Sequence, residues 1–86
     1  MGRASRPKPI KLAEKLKQIR LSLNLSQTDM LIRLGYPTHK KEFRSVISAY
    51  ELGKREPTLI DLLNYARLAK VLVEVLIDDE INLVLK

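Results

Sequence analysis

Apolar residues recur at helical spacing through most of this chain, and glycine and proline mark the breaks between the runs. Leu12, Leu16, Ile19 and Leu23 follow one another at intervals of four, three and four. That spacing makes one stripe and predicts a first helix over residues 10–24. Lys11, Lys15 and Lys17 lie off the stripe, and Arg20 borders it. A second helix is predicted over residues 26–34, with Met30, Leu31 and Leu34 on its buried side. Ser26 is a good N-cap for it, Asp29 stands at the capping-box distance, and Gly35 supplies its stop.

The stretch from Glu42 to Pro57 organises the rest. Val46, Ile47 and Tyr50 share a face of a short helix, which Gly53 ends and Pro57 keeps from resuming. Its other side carries Arg44, Ser45, Ser48, Ala49 and Leu52. Between Gly35 and this helix lie Tyr36, Pro37, Thr38, His39, Lys40, Lys41 and Glu42, and Phe43 stands where a cap would be expected. Either this connection is a longer loop, with Lys40 and Lys41 near a ligand, or Thr38 caps and the helix starts a turn early. The second is favoured, because Thr is a competent cap and Glu42 suits a first turn.

Thr58 opens a fourth helix with Asp61 at the capping-box distance; Leu59, Leu62, Leu63 and Ala66 line its buried side. Its end is weakly encoded: either Lys70 takes a left-handed conformation, at about 1–2 kcal/mol, or the fourth and fifth helices merge. Val71, Val73, Val75, Leu76 and Ile77 are too apolar to be a solvated surface. At the end, Ile81, Leu83 and Leu85 alternate with Asn82 and Val84, a strand-like pattern. Such a strand would pair with a second copy or fold back as irregular cover. The expected fold is all-α, a bundle of about five helices with a possible short C-terminal strand. Residues 1–9 read as a flexible basic arm, 10–78 as the domain and 79–86 as the tail.

Composition removes whole classes of function. With 86 residues, 45% of them hydrophobic and 30% charged, the chain suits one small globular domain. It contains no cysteine and a single histidine, His39. Disulfide scaffolds, thiolate metal sites and cysteine nucleophiles are excluded, and no metal or cofactor is expected. Asp78, Asp79 and Glu80 lack spaced partners and read as solvated. No nucleophile, base and orienting group combine, so no catalytic residues and no enzyme are expected. No apolar run approaches the ~20 residues that span a bilayer, and the basic start has no apolar segment behind it. The expectation is a cytoplasmic protein without a membrane partner.

Charge is unevenly placed. Residues 1–41 hold ten Lys/Arg against two Asp/Glu, and residues 42–86 hold six against eight, so +8 and −2 give the overall +6. A pole of that sign faces a polyanion, and nucleic acid is the first choice. Arg3, Arg6 and Lys8 in the proline-bearing arm could track phosphates, or serve as a solubilising tail. A short helix that is small, polar and basic outside suits the DNA major groove, where Arg44 can pair with guanine and Ala49 can meet a thymine methyl.

The ordered set of Arg20, Leu25-Ser26-Gln27, Leu34-Gly35, Ile47-Ser48, Glu51, Gly53-Lys54-Arg55-Glu56-Pro57 and Leu62-Leu63 resembles the helix-turn-helix family of the phage lambda Cro and repressor proteins and the xenobiotic-response-element regulators of bacteria. The resemblance spans residues 12–77. It implies a five-helix lambda-repressor-like bundle with a central helix-turn-helix. It also implies sequence-specific binding to duplex DNA by a homodimeric repressor or regulator, cytoplasmic and nucleoid-associated. In such a protein Arg44, Ser45, Ser48 and Ala49 would face base edges. Gln27, Thr28, Lys40, Lys41, Lys54 and Arg55, with Arg3, Arg6 and Lys8 of the arm, would hold phosphates. Gln27 would also clamp the first side chain of the recognition helix, and Arg20 would form a structural ion pair with Glu51. The chain departs from the family in two places. The connection before Phe43 is about six residues longer than a helix-turn-helix needs, and Lys70 and Leu72 stand where the family has Gly and a capping Ser or Thr. Two other roles fit the same residues: the antitoxin half of a toxin–antitoxin pair, gripping its partner through the apolar tail, and a protein-interaction adaptor.

Overall fold

The structure, a computed structural model, describes residues 9–85. Five α-helices follow in order: α1 Leu12–Ser22, α2 Gln27–Arg33, α3 Val46–Glu51, α4 Leu59–Ala69 and α5 Val73–Ile77. A 3-10 turn, Lys41–Phe43, precedes α3. No strand occurs among the described residues, so their fold is all-helical.

The stripes meet in one core. Leu16, Ile19, Met30, Ile47, Tyr65 and Leu76 are fully buried, one or two from each helix. Burying a side chain of this size contributes about 1.5–3 kcal/mol relative to exposure. α1 runs through the middle and packs against α3, α4 and α5, while α3 also packs on α2. The short helix α3 is therefore held from two sides, by Val46, Ile47 and Tyr50, all buried.

Four of the five helices end in one way. Asn24, Gly35, Gly53 and Lys70 all have positive φ, between 57° and 89°. In each case the next amide donates to a carbonyl five residues back: Leu25 to Arg20, Tyr36 to Leu31, Lys54 to Ala49, Val71 to Ala66. These are Schellman closures, which satisfy carbonyls that a helix end leaves open. Lys70 takes the left-handed alternative, at φ 59°, so α4 and α5 stay separate.

Several expectations are corrected. The first helix covers 12–22 rather than 10–24. Lys15 is not on the solvent side; it is 5% exposed. The reason is tertiary: its ammonium donates to the carbonyls of Val75, Asp78 and Ile81 at 2.7, 3.0 and 2.8 Å. Leu59 does not line the buried side of α4, being 83% exposed. Thr38 caps nothing; the 3-10 turn begins after Lys40, and Ser45 is the N-cap of α3, without a side-chain cap bond. The connection is thus the longer loop. Residues 81–85 form no strand; Leu83 and Leu85 fold back on the core as irregular cover. Asp79 is not simply solvated. Its two carboxylate oxygens accept from the amides of Ile10 and Lys11, at 2.9 and 3.0 Å, where α1 lacks a side-chain cap of its own.

Candidate nucleic-acid interface

The candidate surface is built from α2, α3 and the segment between them. α2 starts at a capping box: Ser26 Oγ accepts from the Asp29 amide at 3.0 Å, and Asp29 Oδ2 accepts from the Ser26 amide at 3.3 Å. That fixes how the chain enters α2 and leaves Gln27 and Thr28 exposed on its first turn.

Glu51, the last residue of α3, ties the unit together. Its carboxylate accepts Arg20 Nε at 2.7 Å and Nη2 at 3.0 Å, a two-pronged pair. Arg20 Nη1 also donates to the carbonyl of Leu25 at 2.9 Å, just ahead of the Ser26 cap. The hydrogen bond that Arg20 donates to Glu51 raises the Arg20 pKa above its ordinary value, against a smaller opposing effect of burial. The side chains are 12% and 5% exposed, so water competes little for the pair. One guanidinium thereby joins α1, the entry to α2 and the end of α3. Gln27 does not clamp the start of α3. Its amide donates to Glu51 Oε1 at 3.2 Å, at the opposite end of that helix.

With α3 pinned by its buried face, the other residues are distributed as follows. Arg44 and Ser45 are exposed; they lie in the turn between the 3-10 turn and α3, not within the helix. Ser48 and Ala49 are half-buried on α3. Lys40 and Lys41 are exposed immediately before them, and Lys54 and Arg55 immediately after, with the amides of both latter residues donating to the Ala49 carbonyl. Two lysines, one arginine and a serine thus lead into α3, and two cations lead out. Arg3, Arg6 and Lys8 fall outside the described residues. Among the described residues, no group of His, Asp and Glu side chains is arranged to hold a metal, and no helix is long and apolar enough to cross a membrane.

Sequence reasoning missed a polar cluster beneath this surface. The spacing of Thr58 and Asp61 predicts a capping pair. The backbone half of that motif is present, since Thr58 Oγ1 accepts from the Asp61 amide at 3.1 Å. The Asp61 side chain instead turns inward, where Oδ2 accepts from the hydroxyls of Tyr36 and Tyr50, each at 2.6 Å. Burial, followed by the bond to Asp61, pushes both phenol pKa values up, so both stay donors. Tyr65 nearby is buried with a hydroxyl that has no hydrogen-bond partner. Nothing in the spacing of Tyr36, Tyr50 and Asp61 marks them as partners.

No protein-family model matches the chain, and no characterised protein matches it by sequence. Among solved structures, it is similar to the crystal structure of the restriction-modification controller protein C.AhdI from Aeromonas hydrophila. The TM-score is 0.61 and the identity 24%, over 78% of this chain and 92% of that one. This chain therefore has the small, all-helical fold of that controller protein.

Proposed function

We propose that this chain is a transcriptional regulator that binds duplex DNA sequence-specifically, acting as a homodimeric repressor in the cytoplasm, at the nucleoid. The observation that carries the reading is the lock of Arg20 and Gln27 on Glu51. It fixes α3 against α1 and α2, with the exposed cations Lys40, Lys41, Arg44, Lys54 and Arg55 flanking it. The likeness to a restriction-modification controller supports the same class of protein. Arg44 and Ser45 read base edges, with Ser48 and Ala49 behind them. Arg44 makes a two-pronged contact to guanine. Gln27, Thr28, the lysines, Arg55 and the arm cations Arg3, Arg6 and Lys8 neutralise phosphates and set the register. Exposed Leu72, Ile77 and Val84 favour a second copy as the partner of the α5 end.

Selection of bound sequences from a random duplex pool tests this. The wild type should return a motif with two related half-sites. Arg44→Ala should cost about 1–3 kcal/mol on that motif and relax one base pair per half-site. Lys54→Ala should weaken all sequences about equally. A pool without enrichment would overturn the reading, and an even loss in Arg44→Ala would make Arg44 a phosphate contact.

A further inference from the structure

Three elements converge on one carboxylate oxygen. Asp61, in the first turn of α4, is 3% exposed. It holds the hydroxyl of Tyr50 from α3 and that of Tyr36 from the start of the long connection, both on Oδ2 at 2.6 Å. Hydrogen bonds from a hydroxyl to a carboxylate at this length belong to the strong class. The connection is also closed on itself: the Tyr36 and Phe43 rings meet with centroids 5.2 Å apart, tilted by 48°. Between the rings the backbone is compact, the Lys40 amide reaching the Pro37 carbonyl and the Phe43 amide the Lys40 carbonyl.

A plain link between α2 and α3 needs only ~3–4 residues. It does not need a buried carboxylate, whose desolvation must be offset by its hydrogen bonds. What this anchorage holds still is a pair of exposed lysines, Lys40 and Lys41, with exposed Arg44 next to them. We propose that Asp61 is a positioning residue for a second DNA-backbone contact: through Tyr36 it fixes the segment from Tyr36 to Phe43 against α3, so that Lys40 and Lys41 meet the phosphates flanking the site that α3 reads. The inference rests on the DNA-binding reading above. Asp61 itself touches no nucleic acid. It acts through the lysines, and a flexible version of the same loop would lose their contacts to the entropy of ordering two long side chains and their backbone.

That route sets the experiment. Four full-length proteins are titrated with a duplex selected by the wild type, over a salt series: wild type, Tyr36→Phe, the double variant Lys40→Ala with Lys41→Ala, and the triple variant. Tyr36→Phe deletes only the hydroxyl bonded to Asp61 and keeps the ring against Phe43; Asp61 retains the Tyr50 hydroxyl, so the protein should stay folded at the titration temperature, with a thermal melt lowered by the one lost hydrogen bond. Its affinity should fall roughly tenfold, and the slope of log affinity against log salt should decrease by about 1–2, as for lost phosphate contacts. The lysine double variant should show the same decrease, and adding Tyr36→Phe to it should change nothing further. Unchanged binding by Tyr36→Phe, or an equal loss in both backgrounds, overturns the proposal and leaves the DNA reading intact. A wild type without salt-dependent duplex binding overturns both.

Discussion

Arg20 and Glu51 stand 31 residues apart in sequence and meet through two hydrogen bonds, at 2.7 and 3.0 Å. Both are largely shielded from water, so removing one partner strands a charge. Arg20→Met alone and Glu51→Leu alone should each destabilise by about 3–5 kcal/mol. The double variant should recover part of the loss, because neither charge is then left unpaired. Denaturant melts of the four proteins measure the coupling. Simple additivity would mean that the contact contributes nothing specific.

Lys15 closes the other side of α1. Its ammonium is the shared donor to three carbonyls around the end of α5 and the start of the tail. Lys15→Met keeps the length and apolar stem but removes the ammonium from all three carbonyls, of which that of Asp78 still accepts from the Ile81 amide, and should cost about 2–4 kcal/mol. Amide hydrogen exchange should accelerate in residues 78–85 before it does in α2 or α3. A loss below ~0.5 kcal/mol in urea melts would show that the carbonyls find water instead.

Asp79 makes stability depend on acid. The amides of Ile10 and Lys11 hold its carboxyl below its ordinary pKa. The unfolded chain therefore binds this proton more readily than the folded one. Its contribution is complete above the unfolded value of about 3.9 and disappears as pH falls through the lowered folded value. The difference in melting temperature between wild type and Asp79→Asn should be present at pH 6 and shrink below about pH 4. A difference independent of pH would assign it to geometry rather than charge.

Lys70 holds a left-handed conformation, φ 59°, that its Cβ disfavours. Glycine there would relieve about 1–2 kcal/mol of strain and give back about 0.4–1 kcal/mol through the freer unfolded chain. Lys70→Gly should thus stabilise by a few tenths to about 1 kcal/mol. Gly53→Ala, at φ 73°, should do the reverse. Thermal melts of the two variants check the pair of signs, and a loss in Lys70→Gly would mean that the lysine side chain contributes packing of its own.

Local physics was legible in the sequence by itself. The stripe of Leu12, Leu16 and Ile19, the cap at Ser26 with Asp29, the cap at Thr58, and the stops at Gly35 and Gly53 each depend on residues within about five positions of one another. Such rules read directly from spacing, and they predict the first four helices in the observed order, while the break between the fourth and the fifth stays open until Lys70 is seen in its left-handed conformation. The Arg20 and Glu51 partnership was legible only through resemblance to a family, since no spacing rule joins them. Tertiary structure alone decided the polar interior. Lys15 looked like a solvent lysine because its acceptors lie 60 to 66 residues away. Asp79 looked like one of three solvated acids because the amides it caps lie 68 and 69 residues away. The start of α3 was decided in the same way. Thr38 is chemically able to cap, but Tyr36 bonded to Asp61 and in tilted ring contact with Phe43 sets the path of the connection, so the backbone turns at Lys41 and the helix waits until Val46. Hydrogen bonds between distant residues form only when the fold brings them together, and a one-dimensional pattern carries no record of which ones will meet.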